Sequence, residues 1–136
     1  MTYLANWKYE ANMNTELFID VASMLHQENP TIDGVALVSS DGRILQHQWK
    51  QAVDPDKIGA IGAAVLGLGK KAIEVLSKGE FLQVVLQSSF GMLAVYGASD
   101  QAVLIVSTVG TGNLGMLNLS CRQAAHLLGR KIADIQ

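Results

Sequence analysis

The stretch TVGTGNLGMLNL, residues 108–119, decides between two folds. Gly110, Gly112 and Gly115 stand in GxGxxG spacing between an apolar run that reads as a strand and a pattern that reads as a helix. A dinucleotide-binding loop has this form, but it needs a βαβ unit of about 30 residues and an acidic side chain about 20 positions on to hold the ribose. Only 21 residues follow Gly115, they read as one helix, and Asp134 falls at its end with no second strand to carry it. The glycines are therefore read as a turn into a terminal helix. A nucleotide-binding enzyme is kept as an alternative that would require the isolated protein to bind labelled NAD or ATP.

Working outward, the three segments before this turn, EFLQVVLQS, GMLAVYGA and QAVLIVST, read as strands. The connections SSFG and Ser99 to Gln101 are so short that neighbouring strands must run antiparallel. GVALVSS and RILQHQW around Asp41-Gly42 read as a hairpin, because Asp and Gly tolerate the backbone of a tight turn. Runs such as VALV, VVL and VLIV do not alternate with polar residues, which predicts a sheet covered on both faces. A first helix is expected from Asn14 or Thr15 as cap to just before Pro30, with Leu17, Phe18, Val21, Met24 and Leu25 on one face. Asp54-Pro55-Asp56 opens a second helix running to about Ser77, with Gly79 as its stop. The last helix starts near Asn113 and places Leu117, Cys121, Ala124, Ala125, Leu128 and Ile132 on one stripe. The order is αββαβββα, an α+β domain over residues 14–136, preceded by an extension, residues 1–13, that carries Tyr3, Trp7 and Tyr9.

A chain of 136 residues is long enough to bury a core in one domain without a staple. Its net charge of −2 provides no broad basic field, so nucleic acid and membrane surfaces are poor partners. One cysteine and an N-terminus without the basic start and apolar core of a secretory signal predict a reducing, cytoplasmic setting. Charged residues make up only 16% and apolar ones 49%, a lean surface for a small monomer, so part of it is expected to be covered by another chain.

The middle helix sharpens that expectation. Residues 58–69, IGAIGAAVLGLG, contain no polar side chain. A helix apolar all round is buried all round, and twelve residues are too few to span a bilayer, so protein must cover it. Ile58, Ile61, Val65, Leu68, Ala72 and Leu76 form one stripe, expected to face the domain's own sheet. Gly59, Gly62, Ala63, Leu66 and Ile73 form a second, expected to pack against the same helix of a second copy, since small residues let backbones approach closely. Ala60, Ala64 and Gly67 lie toward the back with Lys71, as a surface for a further partner. Glycines inside a helix each cost roughly 0.5–1 kcal/mol relative to alanine, a loss that tight packing offsets. The plainer alternative is that they accommodate helix-on-sheet packing within one monomer. The strand at 80–88 reads as a sheet edge, yet LQVVL carries no charge or proline to discourage pairing, so Val84 and Val85 are expected at a self-paired seam. A symmetric homodimer explains both features.

Chemistry is sparse. His26, His47 and His126 have no metal-ligand spacing to Cys121 or to one another and are expected to face solvent. Cys121 is expected in the core. GLGKKA lacks the first glycine of a P-loop, where Ala64 stands, and no Ser or Thr follows Lys70. Arg43, Arg122 and Arg130 are dispersed. No catalytic residue, cofactor or metal site is predicted.

GVALVSSDGRIL, IGAIGAAVLGLGKKAIEVL, GEFLQVVLQSSFGMLAVYGAS and NLGMLNLSCRQAAHLL, in this order, resemble the roadblock, or dynein-light-chain roadblock, domain over about residues 31–131. The resemblance implies a five-stranded antiparallel sheet with one helix on one face and two on the other. It also implies a homodimer with a continuous sheet, joined through the middle helix and third strand, and no enzymatic activity. Single-domain bacterial members of that family include co-regulators of small Ras-like GTPases, and eukaryotic members serve as dynein subunits and scaffolds. What is expected is therefore a dimeric adaptor of such a GTPase, docking it on Ala60, Ala64, Gly67 and Lys71. The alternative is a structural, light-chain-like subunit without kinetic effect on any GTPase.

Overall fold

The computed structural model describes residues 2–110 and 112–135. The element order is α1 (Thr2–Glu28), β1 (Ile32–Ser39), β2 (Ile44–Trp49), α2 (Pro55–Val75), β3 (Gln83–Ser88), β4 (Gly91–Ser99), β5 (Ala102–Val109) and α3 (Leu114–Ile135). The strands form one antiparallel sheet in the order β2-β1-β5-β4-β3, which leaves β2 and β3 at its edges. The expected αββαβββα order and α+β class are those observed.

Alternate residues of the central strands build two cores. Val35 and Leu37 of β1, Ala94 and Tyr96 of β4, and Leu104 and Val106 of β5 pack with Phe18, Val21, Ala22 and Leu25 of α1 and with Leu117, Cys121, Ala124, Ala125 and Leu128 of α3. Their neighbours Ala36, Val38, Val95, Val103 and Ile105 face Ile58 and Leu66 of α2. Two helices thus cover one face and one the other, which is why the β1, β4 and β5 runs do not alternate in polarity. α3 begins where the glycine turn was expected to lead, with the Met116 amide donating to Asn113 Oδ1 at 3.0 Å. Burial pushes the Cys121 thiol up to about 12, so it is a core group and not a thiolate at neutral pH.

Three local expectations need correction. α1 starts at Thr2 and not at Asn14 or Thr15. Residues 2–13 hold no Gly or Pro and include the good helix formers Ala5, Lys8, Glu10 and Ala11, so nothing in them stops the helix from extending N-terminally. The helix therefore runs through the boundary expected between extension and domain; the side chains of Tyr3, Trp7 and Tyr9, like that of Ile132, lie outside those described. On α1, Met24 is exposed and Ala22 takes its place in the core. α2 ends at Val75, before Ser77, because Ser77 itself turns left-handed at φ +53°. The Lys78 amide then donates to Ile73 O and the Ser77 amide to Glu74 O, satisfying the last carbonyls before Gly79 is reached.

Candidate docking surface

α2 is fixed at its start by sequence. Asp54 caps it, its carboxylate accepting from the Asp56 amide at 3.0 Å, and Pro55 occupies the first turn. From there the helix crosses the sheet face from the β1–β2 turn toward β3. A Cβ at Gly59 would collide with the backbone oxygen of Gly42 in that turn. One at Gly62 would lie 2.9 Å from Ile105 Cδ1, and one at Gly69 2.5 Å from the ring of Phe81, just before β3. The glycines let the helix axis sink onto a sheet that presents bulky side chains.

This reverses the expected faces of α2. The stripe assigned to a second copy, Gly59, Gly62 and Leu66, is buried against the chain's own sheet, with Ala63 and Ile73 half-buried beside it. The stripe assigned to the sheet is the one left bare: Ile61, Leu68 and Leu76 are exposed, Leu68 to 73%, and Val75 joins them at 68%. Ile58 alone of that stripe is buried, and Val65 is half-buried. The physical reason is that an all-apolar helix has two candidate inward faces, and the thinner one fits closer to a sheet studded with Ile105, Val38 and Phe81. Gly67 has nothing within 4 Å of where its Cβ would be. Ala60, Ala64, Gly67 and Lys71, spaced 0, 4, 7 and 11, are all exposed and share one outward stripe beside the bare apolar one.

The edge strand continues the bare surface. Val84 pairs with Val95 and Leu86 with Leu93, both on the α2 side of the sheet, so Val84 and Leu86 face that side too. Val84 is half-buried, while Leu82 and Leu86 are exposed. Val85 points the other way and packs against the core beneath α1 and α3. Of the two valines expected at the seam, only Val84 shares a face with α2. The outer side of α2 and the α2-facing side of β3 together make an apolar strip that the subunit itself does not cover.

Polar groups are arranged around this strip and not in it. Lys70 Nζ donates to Asp100 O at 3.0 Å, tying α2 to the β4–β5 turn, while Lys71, on the outer stripe, has no such partner among the described residues. In the β1–β2 turn Arg43 pairs with Asp41 at 3.2 Å. The Ser39 hydroxyl donating to Asp41, together with Arg43, holds that carboxyl below its usual range. Arg122 and Arg130 belong to α3, on the opposite face of the sheet. His47 and His126 are exposed as expected, and His26 is half-buried. Among the described residues no three His, Cys, Asp or Glu side chains gather as a metal site would require. No described helix is long and apolar enough to cross a membrane.

Comparison with known proteins agrees with this architecture. Two uncharacterised proteins of Methanocaldococcus jannaschii, MJ0310 and MJ1340, are each 26% identical over 94 residues, 69% of this chain and 82% of theirs. A structure described as MglB with tetrameric arrangement superposes with a TM-score of 0.81 at 20% identity, over 90% of this chain and 93% of that one. The gliding protein MglB from Thermus thermophilus gives 0.79 at 20% identity, over 89% and 92%. A Roadblock/LC7 domain from Streptomyces avermitilis gives 0.72 at 20% identity, over 82% and 93%. At these identities the structures speak for the fold. The family model of the Roadblock/LC7 domain matches residues 20–108, more than half of the chain, from the last third of α1 to the end of β5, and the chain belongs to that family.

Proposed function

We propose that this protein is a non-enzymatic adaptor that works as a homodimer and docks a small Ras-like GTPase across its paired α2 helices. The observation that carries the dimer is the bare strip formed by Ile61, Leu68 and Val75 on α2 with Leu86 on β3 and Leu82 just before it, which water would otherwise cover. A twofold axis beside β3 joins the two edge strands, extends each sheet into the other, and brings the second α2 alongside the first. The strip is then buried from both sides. The dimer contacts fall on Ile61, Val65, Leu68, Ala72 and Val75 in place of the glycine stripe.

Pairing leaves the stripe of Ala60, Ala64, Gly67 and Lys71 facing out from each helix. Two such stripes form a low platform with a positive charge from each subunit, a surface into which a partner's larger side chains fit closely. The link to a GTPase rests on the family, whose single-domain bacterial members include GTPase co-regulators. Such a platform acts by favouring one conformation of the GTPase switch segments, since a partner shifts an equilibrium only by its differential affinity for the two states. Donation of an arginine is disfavoured, because Arg122 and Arg130 lie on the far face and Arg43 sits in the β1–β2 turn and not on the outer stripe of α2.

The test uses the purified protein and each small Ras-like GTPase of the same organism. Binding together with a changed rate of hydrolysis or nucleotide exchange, both lost in Ala64→Arg, is expected. Stable binding with unchanged rates would favour a structural subunit, and no binding to any of them would overturn the GTPase assignment.

A further inference from the structure

Phe90 is the most exposed large apolar residue among those described, at 87%. It sits with Ser89 at the tip of the β3–β4 hairpin, between the paired residues Ser88 and Gly91. Tight turns favour Gly, Asn and Asp there, not an aromatic ring. The tip is held firmly: the Gly110 amide donates to Phe90 O at 3.0 Å, and Ser88 Oγ donates to Gly91 O at 3.0 Å. A large ring is thus presented to water on a fixed backbone at the end of the edge strand.

We infer that Phe90 is a cross-subunit clasp that packs against the segment following α2 in a second copy of this chain. The inference rests on the β3 pairing proposed above. A twofold axis normal to the sheet keeps both α2 helices on one face, so residues facing each other across the seam must share that face, and even-numbered positions meet even-numbered ones. Centring the axis on residue 84, 85 or 86 sets Phe90 opposite Lys78, Glu80 or Leu82 of the partner subunit. Continued past the ends of β3, every central register therefore sets the ring against some part of the segment 78–82 that leads from α2 into β3. That segment is bare in the single subunit, where Val75, Leu76 and Leu82 are exposed beside the charged Lys78 and Glu80, whose side-chain stems can also cover a ring. Symmetry makes the contact twice per dimer.

Three double variants test the geometry: Phe90→Cys combined with Lys78→Cys, Glu80→Cys or Leu82→Cys. Within one subunit the strand Gln83–Ser88 alone holds these ends about 20 Å apart at roughly 3.3 Å per residue, too far for a disulfide. Mild oxidation with diamide is expected to give a covalent dimer on a non-reducing gel in at least one of the three. Phe90→Ser is expected to weaken the dimer roughly tenfold or more by sedimentation equilibrium, as removal of a buried aromatic contact does. It should leave the unfolding midpoint measured at high dilution unchanged, since the ring supports nothing in its own subunit. Absence of every crosslink, or an unaltered dissociation constant, in a protein that is dimeric as wild type would overturn the clasp and spare the dimer. A wild type that sediments as a monomer at all concentrations would overturn the seam itself, and the clasp with it.

Discussion

At the scale of single residues, the four glycines of α2 differ in what they do, and one substitution separates them. Gly59 touches the Gly42 carbonyl and Gly67 touches nothing, although both lie in the same helix. Gly59→Ala is expected to destabilise the fold by about 2 kcal/mol, because neither backbone can yield to the added methyl without moving the hairpin off the helix. Gly67→Ala is expected to stabilise it by about 0.5–1 kcal/mol, the ordinary helix preference for alanine with no clash to oppose it. Denaturant unfolding of the two variants, at equal protein concentration, checks the opposite signs. The sequence showed that these glycines cost helix stability but not which of them were crowded, since crowding depends on Ile105, Val38, Gly42 and Phe81, from four segments remote in the chain.

At the scale of elements, strands and turns were legible because their signals are local. Asp54-Pro55 fixed the start of α2, the short connections forced antiparallel pairing, and the unbroken apolar runs marked a sheet with two covered faces. The orientation of α2 was not legible in this way. Periodicity locates an inward face by its contrast with a polar one, and residues 58–69 offer no such contrast. The choice was made by fit: the thin stripe sank onto the sheet and the bulky one turned outward. The proposed interface therefore falls on Ile61, Leu68 and Val75 in place of Gly62 and Ala63, and two charge substitutions tell the two faces apart. Gly62→Glu forces a carboxylate between Val38 and Ile105 and is expected to give insoluble or unfolded protein. Leu68→Glu places its charge where the subunit is 73% open, and is expected to give a folded monomer with an unchanged circular dichroism spectrum. Light scattering distinguishes them, and a dimeric Leu68→Glu would refute the revised interface.

At the scale of the whole molecule, two edges remain, and they differ in what lies beside them. β2 runs ILQHQW, with Gln46 tied to Thr15 of α1 at 2.7 Å, while β3 adjoins the open side of α2. Burial of that side in the proposed dimer couples folding to association, so stability becomes a function of protein concentration. For a dimer that unfolds to two chains of this length, the thermal midpoint is expected to rise by about 2–3 °C for each tenfold increase in concentration, given typical unfolding enthalpies per residue. Scanning calorimetry over a hundredfold range checks this. Leu68→Glu should abolish the dependence and fix the midpoint near the value that the wild type approaches on dilution. A wild-type midpoint that does not move with concentration would mean that the strip is not covered by association within that range. The lean charge of the sequence would then need a partner other than a second copy of the chain.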